Sequence, residues 1–448
     1  MPSMEKTQDS RRSLVASILQ DTKYFLILVF IFALLLRLAA MVATKSYHIG
    51  NEIDDHFGFG TEMGRVARSI AQGQGFSSPM PLPTGPTAIV GPLYPLLMAL
   101  VFKVFGIYST GSAVVILALQ CLFSSLTCLF IYLCGRDTVG ETAGKLAAIV
   151  WAVFPLNLLF SVTRIWETSL TGMLAVALFW YMLSVRQSLS ISRWATAGAL
   201  FAIAGLVNTS LIVLAVPFAL SAVWTNRTRF IRPLIAAALG GAAFLSPWLI
   251  RNYLQFGKPM LRSNFALEFR VGNNELSYGQ KVSELHPARS LELNQRWQEV
   301  GEKRFMAEES DLNSKFVSAH PRLFAFYTLN RIVNYWTGGW IAPTKEYPNS
   351  LSAIAGISGL SLLAFLGVYR MFTGGNSAAP MFAGCFIIYP CVYYITTSQP
   401  RFYHSIAPML ILCGAFCLVD LKNKIAISRR AQDHVLPERS AHAVSDTL

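Results

Sequence analysis

The sequence predicts an all-α polytopic membrane protein of about ten transmembrane helices, with further juxtamembrane helices in the loop after the first span. Three observations carry that expectation. Of 448 residues, 53% are hydrophobic and 14% are charged, whereas soluble domains average about a quarter charged. Apolar runs of spanning length recur along most of the chain. Hydrocarbon offers the backbone no hydrogen-bond partner, so helices, which pair their own polar groups, are the default.

The elements follow from run length checked against the positions of Lys and Arg. Lys6, Arg11, Arg12 and Lys23 assign residues 1–23 to the cytoplasm. A first span over about 24–44 opens a membrane domain, 24–250, and delivers a first outer loop, 45–111. Ser112–Cys134 returns to Arg136 and Lys145. Pro92–Ile107 is short for a span and would break the charge parity, so it reads as a helix lying in the outer interface with Lys103 snorkelling. Leu146–Val162 and Glu167–Val185 form the next pair of crossings, and Trp194–Trp224 fits two short helices turning at Asn208-Thr209-Ser210. After Leu234–Ile250, residues 251–349 make a large polar outer segment. Residues 350–420 hold the last helices, and 421–448 a basic cytoplasmic tail.

The absence of a cleavage motif after the first apolar run argues against a removable signal. All seven Cys lie in or beside apolar segments, which predicts neither disulfides nor a Cys-ligated zinc site. The net charge of +13 is spread over membrane flanks, as topology and lipid headgroups require, and forms no aromatic-interleaved stripe for nucleic acid. No Walker or Rossmann pattern points to nucleotide chemistry.

Polar residues at membrane depth collect on the outer side. The stretch Asn51–Gly64 carries Glu52, Asp54, Asp55 and Glu62, and Glu167 opens the span that starts outside. Arg251 and Asn252 follow Ser-Pro-Trp-Leu-Ile, and Arg401, Tyr403 and His404 follow Ser-Gln-Pro at the mouth of the last span. Taken singly, each has an ordinary explanation: a solvated loop acid, an acid at a helix N-terminus, or a snorkelling arginine. Arg37, inside the first span, reads as snorkelling or ion-paired. Taken together, carboxylates and cations on one membrane face suit a general base acting beside a phosphate clamp. Ion transport would more often place such groups at the midplane on broken helices. Glu268, Asn273 and Asn274 in the 251–349 segment are further candidate contacts.

The run Glu62–Pro79, then Gly91-Pro-Leu-Tyr-Pro-Leu-Leu97 and Phe102-Lys-Val-Phe-Gly106, resembles the first outer loop of GT-C glycosyltransferases, of the family 39, protein O-mannosyltransferase and aminoarabinose-transferase-like type. Trp166-Glu-Thr-Ser169, Ser246–Tyr253 with Phe256-Gly257, Arg262-Ser-Asn-Phe265, Gly272-Asn-Asn274 and Arg401-Phe-Tyr-His404 extend the likeness over roughly residues 25–420. The resemblance implies a polyprenyl-phosphate-linked sugar donor, an outward-facing site and an inverting transfer to an acceptor protein, lipid or glycan. It implies that Glu62 is the general base, with Asp54 or Asp55 as alternatives because this chain reads Gly58-Phe-Gly-Thr61 where relatives often carry Asp. Glu167 then assists, or holds acceptor or metal, and Arg401 and His404 contact the donor phosphate. Aminoarabinose-type members carry a Lys before the Pro-Leu-Tyr segment where this chain reads Ala88-Ile-Val-Gly91. Phosphate binding therefore falls to Arg65, Arg251 or Arg401, with Tyr94 also lining the substrate. Acids near the site could hold a divalent cation through oxygen ligands, though no spacing demands one. The competing readings are a transporter or flippase for a lipid-linked saccharide and a non-catalytic envelope scaffold.

Overall fold

A computed structural model describes residues 21–49, 57–339 and 351–442. Asp54, Asp55 and Glu52 lie outside the described residues. The first span is α1, Thr22–Thr44; its neighbours in the loop that follows are α2, Glu62–Ala71, and α3, Leu93–Phe105. Then come α4 (Thr110–Thr138), α5 (Glu141–Val153), α6 (Pro155–Val162), α7 (Thr168–Val185) and α8 (Ile191–Val207). A 3₁₀ turn, Thr209–Ala215, leads into α9, Val216–Phe256. The polar segment folds as α10 (Phe265–Gly272), α11 (Leu291–Ala319) and α12 (Pro321–Thr337). The chain ends in α13 (Leu351–Thr373), α14 (Ala379–Ile388), α15 (Cys391–Ile395) and α16 (Pro400–His442). Among the described residues there is no β-strand beyond one isolated bridge, Ser77 to Pro86.

This is a multi-pass membrane protein. Among the described residues six helices are long and apolar enough to cross a bilayer alone, and seven if the bent pair α5–α6 is one span. The other segments expected to cross are also helical but shorter: Ile191–Val207, Thr209–Thr225 and Ala379–Ile395. The ten crossings are therefore not each met by a helix of spanning length. The turn expected at Asn208-Thr209-Ser210 is present, because Asn208 leaves helical geometry and its side chain accepts from the Ser210 N–H. Centrally in the bundle, α16 packs on α5, α7 and α13 around a core that includes Trp151, Phe179, Phe382 and Leu410.

Helix α3 is too short to span: 13 residues rise about 20 Å, against a hydrocarbon core of about 30 Å. It buries Tyr94, Met98 and Phe102 on one side and exposes Leu96, Leu100 and Val104 at helical spacing on the other. That two-faced pattern is the one expected of a helix lying in the interface. Its buried side joins α2, the 265–306 region and part of α4 in a second core around Val66, Met98, Leu267 and Trp297. We call the side of the bundle that carries this second core the loop face.

Arg37 is neither snorkelling nor ion-paired. It is fully buried and donates to the carbonyls of Ala33, Trp151 and Ala152 and to Ser124 Oγ. The α5–α6 axis bends by 51° just after those carbonyls, where Pro155 brings no N–H to continue the helix. Arg37 supplies the missing donors, which is why a charge survives there.

Candidate functional site

Glu62 stands at the first turn of α2, after a turn in which Gly60 has φ 81°. A side chain at Gly60 would meet the Ile165 carbonyl oxygen at 2.6 Å. Only glycine therefore lets the first loop close against the turn that precedes Glu167, and both acids end on the loop face. The Glu62 side chain is 15% exposed. Burial pushes its carboxyl above the ordinary glutamate range, and nearby Glu268 adds to that, against the pull of Lys281 and Arg401.

His286 faces Glu62, with Nε2 3.6 Å from Oε1. Its Nδ1 accepts from the Ala288 N–H at 3.1 Å, which leaves the ring proton on Nε2, directed at the carboxylate. Burial first, and then the Lys281 charge, push the imidazole down to about 3. The contact is thus between a neutral N–H and a carboxylate, and is not an ion pair at neutral pH.

Glu268, from the first turn of α10, comes to the same place. Burial would raise its carboxyl, but the charges of Lys281, Arg401 and Arg262 outweigh it and hold the group below the usual glutamate value. Its Oε2 is buried with no hydrogen-bond partner among the described residues. Two neighbouring carboxyl groups with oppositely shifted pKa values are the usual mark of divided acid–base roles.

Arg401 begins α16 and lies 4.0 Å from the Trp166 ring centroid, with Nε buried and unpartnered among the described residues. Glu167, the next residue after Trp166, accepts from Asn208 Nδ2 at 3.1 Å. His404 sits one turn deeper in the bundle, 2% exposed, between the rings of Trp151 and Phe160. It is therefore a neighbour of Arg37 and not of the cluster around Glu62.

Other expected contacts turn out to brace the backbone. Arg251 stacks on Trp248, Phe76 and Phe256 and donates to the carbonyls of Thr87 and Phe76. Asn252 accepts from Arg251 and donates to Met260. Arg65 donates to the Pro79 carbonyl and is 3% exposed. Asn273 donates to Phe269 and Ile395, and Asn274 donates to Arg270 while accepting from the Leu276 N–H. Their partners lie on the strap 76–90, at Met260, at the α10 C-terminus and on α15, so these side chains tie together the segments that surround the site.

Sequence reasoning missed His286, Lys281 and Glu302. The first two lie in an irregular run, Gly279–His286, with no periodicity or motif to mark them. Glu302 on α11 accepts from the Thr87 hydroxyl and, at 2.8 Å, the Ala88 N–H, pinning the strap to the polar segment. Arg262 carried a signal, because it opens one of the motifs quoted above. Its Nε donates to the Ile89 carbonyl while its charge reaches Glu268.

No three His, Cys, Asp or Glu side chains come together as a metal-holding group among the described residues. Two carboxylates set among Lys281, Arg401 and Arg262 make a poor seat for a divalent cation and a good one for a phosphate.

Comparison with solved structures decides the fold. The archaeal oligosaccharyltransferase AglB from Archaeoglobus fulgidus, in complex with an inhibitory peptide and a dolichol-phosphate, superposes with TM-score 0.55 at 16% identity, covering 92% of this chain and 52% of that one. This is a GT-C fold. The apo form of the Archaeoglobus fulgidus enzyme matches with TM-score 0.56 at 15% identity, again over 92% and 52%. The chain thus spans about half the length of the archaeal enzyme. ArnT from Cupriavidus metallidurans, bound to undecaprenyl phosphate, aligns over 89% of this chain and 78% of that one at 10% identity with TM-score 0.36. Residues 88–250 match the family model for dolichyl-phosphate-mannose-protein mannosyltransferase. A search of curated proteins finds no match. The resemblance to GT-C membrane glycosyltransferases, read first from the motifs, is borne out by the family model and the fold.

Proposed function

We infer that the chain transfers a sugar from a polyprenyl-phosphate-linked donor to an acceptor hydroxyl on the outer face of the membrane, with inversion. The observation that carries this reading is that Glu62, Glu268 and Arg401, from the first loop, the polar segment and the last helix, lie within electrostatic reach of one another and of Lys281. Glu62 takes the proton from the acceptor hydroxyl as its oxygen attacks the anomeric carbon. The bond from that carbon to the phosphate oxygen breaks, and the electron pair leaves with the polyprenyl phosphate. Arg401 and Lys281 hold the charge that grows on the leaving phosphate, and Arg262 keeps Glu268 ionised beside them. Attack from the face opposite the leaving group inverts the anomeric centre.

Lipid extracts test the reading directly. Cells lacking the gene should accumulate a polyprenyl-phosphate sugar by mass spectrometry, and the wild-type gene should clear it. An unchanged lipid profile would count against the donor class.

The pH dependence follows from the site. Glu62 must be ionised to act as base, and its carboxyl lies above the ordinary glutamate range. Activity should therefore fall as pH drops, with an inflection above that range. Lys281, Arg401, Glu268 and the neutral His286 are the groups that face it. The neutral His286 N–H, 3.6 Å from Oε1, contributes a dipole beside the carboxylate, so H286A should shift the acid limb of the rate profile upward, and H286Q should shift it less. Coincident acid limbs in all three proteins would remove His286 from that role.

A further inference from the structure

Tyr94 and Glu167 each carry a buried polar atom with nothing to bond. The Tyr94 hydroxyl and Glu167 Oε2 lack any partner among the described residues, and Tyr94 is 1% exposed. They share one neighbourhood. The phenol lies in the electrostatic field of the Glu167 carboxylate. One turn before Tyr94, Gly91 touches the carbonyls of Leu206 and Val207, where a side chain would come within 2.6 Å and 2.9 Å. That approach brings the start of α3 against Asn208, and Asn208 is the residue that holds Glu167 Oε1.

The carboxylate is braced on that side only. Asn208 Oδ1 accepts from Ser210 Oγ at 2.7 Å, which uses the one serine proton, and Ser210 Oγ in turn lies 3.3 Å from the Tyr389 hydroxyl and accepts from it. Oε1 is thus fixed by a chain of neutral groups, while Oε2 has no donor among the described residues. Leaving buried polar atoms unmade is costly, and native proteins avoid it unless water or a ligand completes them.

We propose that Tyr94 and Glu167 form a subsite for a neutral hydroxyl of the ligand, namely a hydroxyl on the sugar ring of the lipid-linked donor. A hydroxyl matches the pair because it donates to the carboxylate oxygen and accepts from the phenol at once. A phosphate does not match, since Glu167 repels it, and Arg401 on the adjoining Trp166 offers the anion a better place. The division sets phosphate at Arg401, which stacks on Trp166, and sugar at Tyr94 and at Glu167, the residue after Trp166. The inference rests on the donor class inferred above.

Binding of two kinds of lipid to the detergent-solubilised full chain tests it. One is bare undecaprenyl phosphate, and the others carry a single mannose, glucose, galactose or pentose. The wild-type protein should bind at least one glycosylated lipid more tightly than the bare one. Y94F and E167Q should each reduce that preference roughly five- to ten-fold, the loss of about one hydrogen bond, while bare lipid binds no more weakly than to wild type. R401A should weaken both lipids alike. A preference retained in Y94F and E167Q, or no preference for any sugar in wild type, would overturn the subsite. Failure of wild type to bind either lipid would instead overturn the donor class. Melting curves identify a misfolded variant, and the two substitutions act from opposite walls, so either one suffices.

Discussion

Exchanging Glu62 for glutamine is expected to cut sugar transfer by about 10²- to 10⁴-fold, the usual contribution of a positioned general base. The substitution keeps the shape and the hydrogen-bonding reach of the side chain but removes the basic electron pair. Because burial already disfavours the charged form, E62Q should melt no lower than wild type. The loss would then be chemical, with binding of the polyprenyl phosphate retained. E268Q is the comparison that separates the two carboxylates. If Glu268 acts mainly through the field that steadies the cations, its loss should weaken donor binding more than it slows turnover. Wild-type rates in E62Q would pass the base to another acid, with Asp54 and Asp55 next in line.

The second large effect concerns stability. Arg331 on α12 is 1% exposed and donates to the carbonyls of Gly279, Tyr394 and Gly272 and to Asn273 Oδ1. It ties α12 to the α10 C-terminus and to α15, the three elements behind Glu268 and Arg401. Removing it as R331M strands four buried acceptors, each costing about 1–3 kcal/mol, so a loss of more than about 3 kcal/mol is expected. R331K should recover little, because an ammonium cannot fan to acceptors on three elements as the guanidinium does. Thermal melting of the purified protein checks both. A melting temperature within a degree of wild type in R331M would show that water replaces the guanidinium.

Arg331 also shows why part of the site could not be read from the chain. Nothing around it differs from an ordinary helix arginine, and its value comes wholly from carbonyls that lie 52 to 63 residues away in sequence. His286 and Lys281 are the same case, in an irregular run whose neighbours are set by packing. Glu62, Glu167 and Arg401 were legible as candidates because each sits at an apolar boundary where a charge needs a reason. Arg251, Asn252, Asn273 and Asn274 carried the same kind of signal, and their side chains are hydrogen-bonded to backbone or to one another. Polarity at a membrane boundary marks a residue that must be satisfied, but does not say whether backbone or ligand satisfies it.

Composition and hydropathy were enough to decide the class, the helical architecture and the interfacial α3. Those depend on transfer of apolar area and on backbone pairing, which are local properties of each segment. Where the opposing partners lie is a non-local matter. The close passage of Gly60 and Gly91 against carbonyls more than 100 residues away, and the buried, unpaired oxygens of Glu167 and Glu268, arise only when distant segments are packed together. Tertiary structure therefore decided which acids share a cleft and which polar atoms are left for a ligand, because burial and electrostatic field act between neighbours in space.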